Sequence, residues 1–174
     1  MMKPLLEALV FLCLSAFTAV AQVQPNLAVR LSAEQSSYTL HDHVQLVIVR
    51  ENRGDHNIAV PKELGWGIGR TNIRVFDAKG NEVRTPFLAD ELPPPPRPYD
   101  FLLLGPAGFA GTHVREAVTD LVNEPGEYEL MVEYTSYLSE HYAREALKLP
   151  PDAPFWSQEC GTITSNRIKL RITR

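Results

Sequence analysis

Glu124-Pro125-Gly126-Glu127-Tyr128-Glu129-Leu130-Met131-Val132-Glu133-Tyr134 decides how the rest of the chain is read. Tyr128, Leu130, Val132 and Tyr134 fall on one side of a period-two pattern, and Glu127, Glu129, Met131 and Glu133 on the other. A strand alternates its side chains between two faces, so this is a half-buried strand with a polar outer face. Pro125-Gly126 is turn chemistry and sets where the strand begins.

The order acid-x-Gly-x-Tyr-x-apolar resembles the tyrosine corner of immunoglobulin-like sandwiches, in which a Tyr opens strand F two residues before a Cys. Leu130 stands at the position of that Cys. The resemblance implies an all-β protein, an immunoglobulin-like antiparallel β-sandwich of about seven to nine strands; the residues from Tyr137 to Leu149 add a short helix between the last two strands. It also implies that Tyr128 is buried, with its hydroxyl bonded to backbone near Leu121 to Asn123. Without a cysteine at 130, apolar packing alone is expected to join the sheets.

Working outward, Ile168, Leu170 and Ile172 alternate with Arg167, Lys169, Arg171 and Thr173. This basic outer face complements the acidic face of the Tyr128 strand. Glu129 and Glu133 are expected to sit across from the Arg167-Lys169-Arg171 row, each pair contributing about 0.2–1 kcal/mol. Leu27, Val29 and Leu31 form a first strand, and Val44, Leu46 and Ile48 a central strand apolar on both faces, turned at Glu51 to Asp55. Ile58 and Val60 begin a strand stopped by Pro61. Ile73 to Phe76, the turn Asp77 to Asn81 and Glu82-Val83 read as a hairpin. Phe101 to Leu104 is a short strand turned by Gly105 to Gly108, and His113 to Val122 holds the strand before the tyrosine corner. Tyr137 to Leu149 breaks the β pattern and favours helix, ended by Pro150-Pro151.

The chain has 174 residues and a formal net charge of −4. Lys3, the apolar run from Pro4 to Val20 and the exit Ala19-Val20-Ala21 read as a signal peptide over residues 1–21. Residues 22–174 then form one sandwich domain, large enough to bury roughly 70% of the surface of its unfolded chain. The protein is accordingly expected to be secreted or periplasmic. Removal of Cys13 leaves Cys160 alone, so no intramolecular disulfide is possible. The charge excludes the basic footprint of a nucleic-acid binder, and no later stretch has the length of a membrane span.

Catalytic and ligand motifs are sparse. There is no Gly-x-Ser-x-Gly elbow, and the three strand glutamates suit a solvated face better than acid–base work. The glycines of Gly65-Trp66-Gly67-Ile68-Gly69 precede a strand, whereas a phosphate loop precedes a helix. His41 and His43 share a face if extended, but two imidazoles do not complete a metal site. No cofactor and no metal are expected. Pro93, Pro94, Pro95, Pro96 and Pro98 favour polyproline II and read as a crossover between the sheets or a stiff recognition loop. Trp66, Pro95, Tyr99, Phe155 and Trp156 form the candidate binding patch if exposed together, and plugs for the sandwich ends if not.

The whole resembles uncharacterised secreted bacterial immunoglobulin-like proteins. The residues that carry this are Tyr38-x-Leu40 before Val44-x-Leu46, Asn52, Pro125-Gly126-x-Tyr128, and Gly161-x-x-x-Ser165-Asn166-x-Ile168-x-Leu170. It implies an exported non-catalytic binding or structural module whose partner is a protein or an envelope component. Val75-Phe76-Asp77-x-x-Gly80-x-Glu82-Val83 is similar to the bacterial intracellular proteinase inhibitor domain. That similarity implies the alternative, inhibition of a proteinase through a protruding loop, for which Leu92 to Pro98 is the candidate.

Overall fold

The computed structural model describes residues 26–62, 64, 69–83, 97–148 and 154–174. Three antiparallel strands make the first sheet: β1 (Leu27–Ala33), β3 (His43–Asn52) and β7 (Phe109–Ala117), in the order β1-β3-β7. The second sheet runs β2 (Ser37–Thr39), β10 (Ile168–Thr173), β8 (Gly126–Ser136) and β5 (Gly69–Asp77), with β9 (Ile163–Thr164) beside β8. β2 lies parallel to β10, and the other pairings are antiparallel. In immunoglobulin lettering these are A-B-E facing A′-G-F-C, the arrangement of an immunoglobulin-like sandwich. β4 (Ile58–Pro61) and β6 (Phe101–Leu104) pair as a separate ribbon before and after strand C.

The alternating residues meet between the sheets. Val44, Leu46 and Ile48 of β3 are fully buried, as are Val75 of β5 and Val132 and Tyr134 of β8. A smaller cluster of Ala59, Phe101, Ala143 and Phe155 lies under the helix α2 (Glu140–Leu147), with the Phe101 and Phe155 rings edge-on at 5.6 Å. Ser139 caps that helix by accepting from Tyr142 N at 3.2 Å, and Lys148 ends it in the left-handed region. The helix falls where the sequence places it; Pro150-Pro151 lie outside the described residues.

Four expectations are corrected. The strand expected over His113 to Val122 starts earlier and ends at Ala117, giving way to the one-turn helix α1 (Val118–Leu121). Val118 and Leu121 are three apart and both buried, so a helical turn satisfies them where alternation would expose one. Tyr128 is half-buried, and its hydroxyl donates to Glu124 O at 2.9 Å, one residue beyond the expected stretch. Its ring lies over Gly126, where an added Cβ would stand 3.3 Å from the ring and hydroxyl. Glu129 does bind Arg167 at 3.0 Å, but Glu133 binds Arg74 of β5 at 2.7 Å. β10 pairs β8 only from Gly126 to Leu130, which leaves Glu133 opposite Thr164.

The fourth correction concerns what joins the sheets. Ser165 Oγ accepts from Val132 N at 2.9 Å in the second sheet. The next residue reaches into the first: Asn166 Oδ1 accepts from Leu31 N at 2.9 Å, and Asn166 Nδ2 donates to Leu31 O at 3.0 Å. Apolar packing is therefore not alone. A carboxamide clamp ties β1 to the segment leading into β10.

Candidate binding groove

The candidate patch does not come together among the described residues. Trp66 and Pro95 lie outside them, with most of the proline loop. Tyr99 is 57% exposed, and the Arg97 guanidinium sits 4.3 Å from its ring centroid. Phe155 and Trp156 are buried at 2% and 5% exposure, so they plug the sandwich and offer no surface. His41 and His43 are exposed to either side of Asp42, whose carboxylate accepts from Thr39 N at 2.6 Å. That bond holds the Asp42 carboxyl below its ordinary range. No group of three or more metal-ligating side chains occurs among the described residues. Cys160 is half-buried, its Sγ 3.8 Å from Phe155 O and 3.6 Å from Ser157 Oγ.

Among the described residues, a feature that can take a ligand lies at the seam between the sheets. A groove of about 960 Å³ runs along β1 and is closed on its far side by residues 162–166. Its chemistry follows from the register of β1. Pairing places Arg30 opposite Val49 and Ala28 opposite Glu51, and the flanking bonds are Glu34 N to Gln45 O (3.1 Å) and Arg53 N to Asn26 O (2.8 Å). Residues 28, 30 and 32 are thus the ones that bond to β3. In an antiparallel ladder hydrogen-bonding direction alternates, so Leu27, Val29 and Leu31 turn their N–H and C=O groups outward. Asn166 satisfies Leu31. Leu27 and Val29 have no backbone hydrogen-bond partner on that side among the described residues.

Among the described residues the rim carries two cations and one anion. Arg30 approaches Glu51 at 2.9 Å and Arg53 approaches the same carboxylate oxygen at 3.5 Å. Among the described residues, one of the two guanidinium charges is left over. Opposite Val49, Gly111 places no side chain on the outer face, which keeps the flank of the first sheet open there. A second hollow of about 570 Å³ lies beside Tyr128 and the Asp77 turn. There Lys169 and Arg171 stand opposite Glu129 and Glu127, so the charges compensate one another.

Sequence reasoning missed this groove. Leu27, Val29 and Leu31 announce a strand, but only the pairing shows that it is an edge. Asn166 belongs to an ending motif, but nothing local identifies its partner 135 residues away.

No protein family matches the chain, and no curated protein does. Among solved structures, the CARDB domain of a Pyrococcus furiosus protein, in complex with di-metal ions, is 12% identical, covers 87% of this chain and 90% of its own, and has a TM-score of 0.40. A β-glucosidase from Erythrobacter marinus is 14% identical over 86% of this chain and 16% of its own, at a TM-score of 0.42. An alkylpurine DNA glycosylase from Pseudomonas fluorescens, bound to DNA with an abasic-site analogue, is 8% identical over 84% of this chain and 30% of its own, at 0.43. The chain thus spans less than a third of each of the two enzymes. These likenesses assign no activity.

Proposed function

We propose that the chain is an exported, non-catalytic immunoglobulin-like module that binds a protein or cell-envelope component along the β1 groove. The observation that carries this reading is the groove itself, with the Leu27 and Val29 edge along it unpaired and one cation at its rim uncompensated among the described residues. Export rests on Lys3, the apolar run that follows and Ala19-Val20-Ala21. No helix among the described residues is long and apolar enough to cross a membrane.

The test is a pull-down from the source organism's envelope extract, run in parallel with Ala28→Trp. Ala28 is half-buried and lies on the outer face of β1, so a Trp there fills the groove while Leu27, Val29 and Leu31 keep their inward packing. A partner retained by the parent chain and lost by Ala28→Trp supports the reading. Identical captures by both chains contradict it. Export is tested separately: the N-terminus of the protein recovered outside the cytoplasm should be Gln22.

A further inference from the structure

We propose that the groove takes an extended polypeptide segment by strand addition to β1, and that this segment carries an acidic residue. The proposal rests on the groove as the binding site and names the chemistry of the partner.

Three outward rungs stand in line on β1, at Leu27, Val29 and Leu31. Alternate residues of a strand lie about 6.8 Å apart, so the rungs repeat at the spacing of any other strand. The third rung is already filled, and what fills it is informative. The Asn166 carboxamide accepts from Leu31 N and donates to Leu31 O, the same two bonds that the facing residue of an added strand would exchange. The other two rungs present the same donor and acceptor pair with no partner among the described residues. Paired donors and acceptors at strand spacing are matched by a polypeptide backbone. A lipid or a glycan has no such repeat.

The groove also sorts side chains. Residues facing each other across a ladder point to the same side of the sheet. Segment residues opposite Leu27 and Val29 would point inward, toward the seam lined by Ile163, and these should be apolar. A residue opposite Arg30 would point outward, where, among the described residues, Arg30 and Arg53 share the one carboxylate of Glu51. A Glu or Asp at that position supplies the missing anion. Main-chain bonds then give affinity, and the alternating pockets give specificity.

The test uses the ¹⁵N-labelled full chain and a capped peptide that alternates valine with threonine and carries one glutamate. A control peptide has its alternate amides N-methylated so that it cannot form a ladder. The capped peptide should slow amide exchange at Leu27 and Val29 about tenfold, because pairing shields these protons from solvent. The N-methylated peptide should leave both rates unchanged. Equal effects of the two peptides, or shifts of groove resonances without slowing at Leu27 and Val29, overturn strand addition while leaving the groove a binding site. No response at all, together with identical captures by Ala28→Trp and the parent chain, removes both readings. Slow exchange that appears without peptide and grows with protein concentration identifies a second copy as the occupant and overturns the proposal. Slow exchange at every concentration without peptide does so too, because the edge would then be filled already.

Discussion

Two arginines in the sandwich do opposite things with the same guanidinium. Arg50, on β3, is fully buried. It donates to Pro61 O and, at 3.0 Å, to Lys62 O, holding the end of β4. No carboxylate pairs with it among the described residues, its Nε has no acceptor there, and the Tyr134 ring centroid is 6.0 Å away. Burial lowers its pKa, opposed by Tyr134. Arg74, on the outer face of β5, binds Glu82 and Glu133 and lies 5.3 Å from the Phe76 ring centroid, while Arg167 covers the same ring at 4.3 Å. An unpaired buried charge is costly, so Arg50 persists only if its hydrogen bonds do something an apolar side chain cannot. The outer network sits in high dielectric, where ion pairs fix register more than stability.

That contrast breaks most readily at Arg50. Arg50→Ala should cost about 3–5 kcal/mol, from the cavity and two stranded carbonyls. Arg50→Met should lose distinctly less, because it refills the volume and removes the buried charge. Urea midpoints measure both; a Met variant as damaged as the Ala variant would show that the carbonyl bonds outweigh the desolvation. Asn52 sharpens the comparison with a neutral group in the same strand. It is buried, donates to His56 O, Leu104 O and Gly105 O at 2.8–3.0 Å, and accepts from Gly54 N at 2.9 Å. Asn52→Ala should therefore cost about 2–3 kcal/mol. At the tyrosine corner, Tyr128→Phe removes one partly exposed bond and should lower stability by about 0.5–1 kcal/mol, seen as a lower urea midpoint with an unchanged m-value.

The smallest effect is expected at Arg74→Ala, and it should shrink further in salt. Its signature is in pH. The hydrogen bonds from Arg74 hold the Glu82 carboxyl below its ordinary 4.5. As pH falls, the unfolded chain takes up that proton first. This contribution is thus present above about pH 4.5 and is lost as pH drops through the folded value. Arg74→Ala should flatten that acid limb. Beside Arg50 the dependence reverses: burial holds the Tyr134 phenol above its ordinary 10.0, so stability falls as pH rises through 10 toward the folded value. Acid titration thus probes the outer network, and alkaline titration the buried site.

Much of the fold is legible in period-two patterns. β1, β3, β8 and β10 follow from alternating apolar residues, because a half-buried strand records its two environments in its own sequence. The same parity carried on from Val44, Leu46 and Ile48 puts Arg50 and Asn52 on the buried face. Their polarity hid this, and the turn expected at Glu51 to Asp55 starts only after Asn52. α1 is too short for a helical period to show. The groove was not legible. An edge is a property of the sheet, not of the strand, and the Asn166 clamp joins residues at opposite ends of the chain.

The central claim is that β1 keeps two open rungs beside one filled by Asn166. Amide exchange in the free protein tests it most directly. Ala28 and Arg30, bonded to β3, and Leu31, bonded to Asn166, should exchange slowly, while Leu27 and Val29 exchange fast. Leu27 and Val29 amides as slow as that of Arg30 would contradict the account.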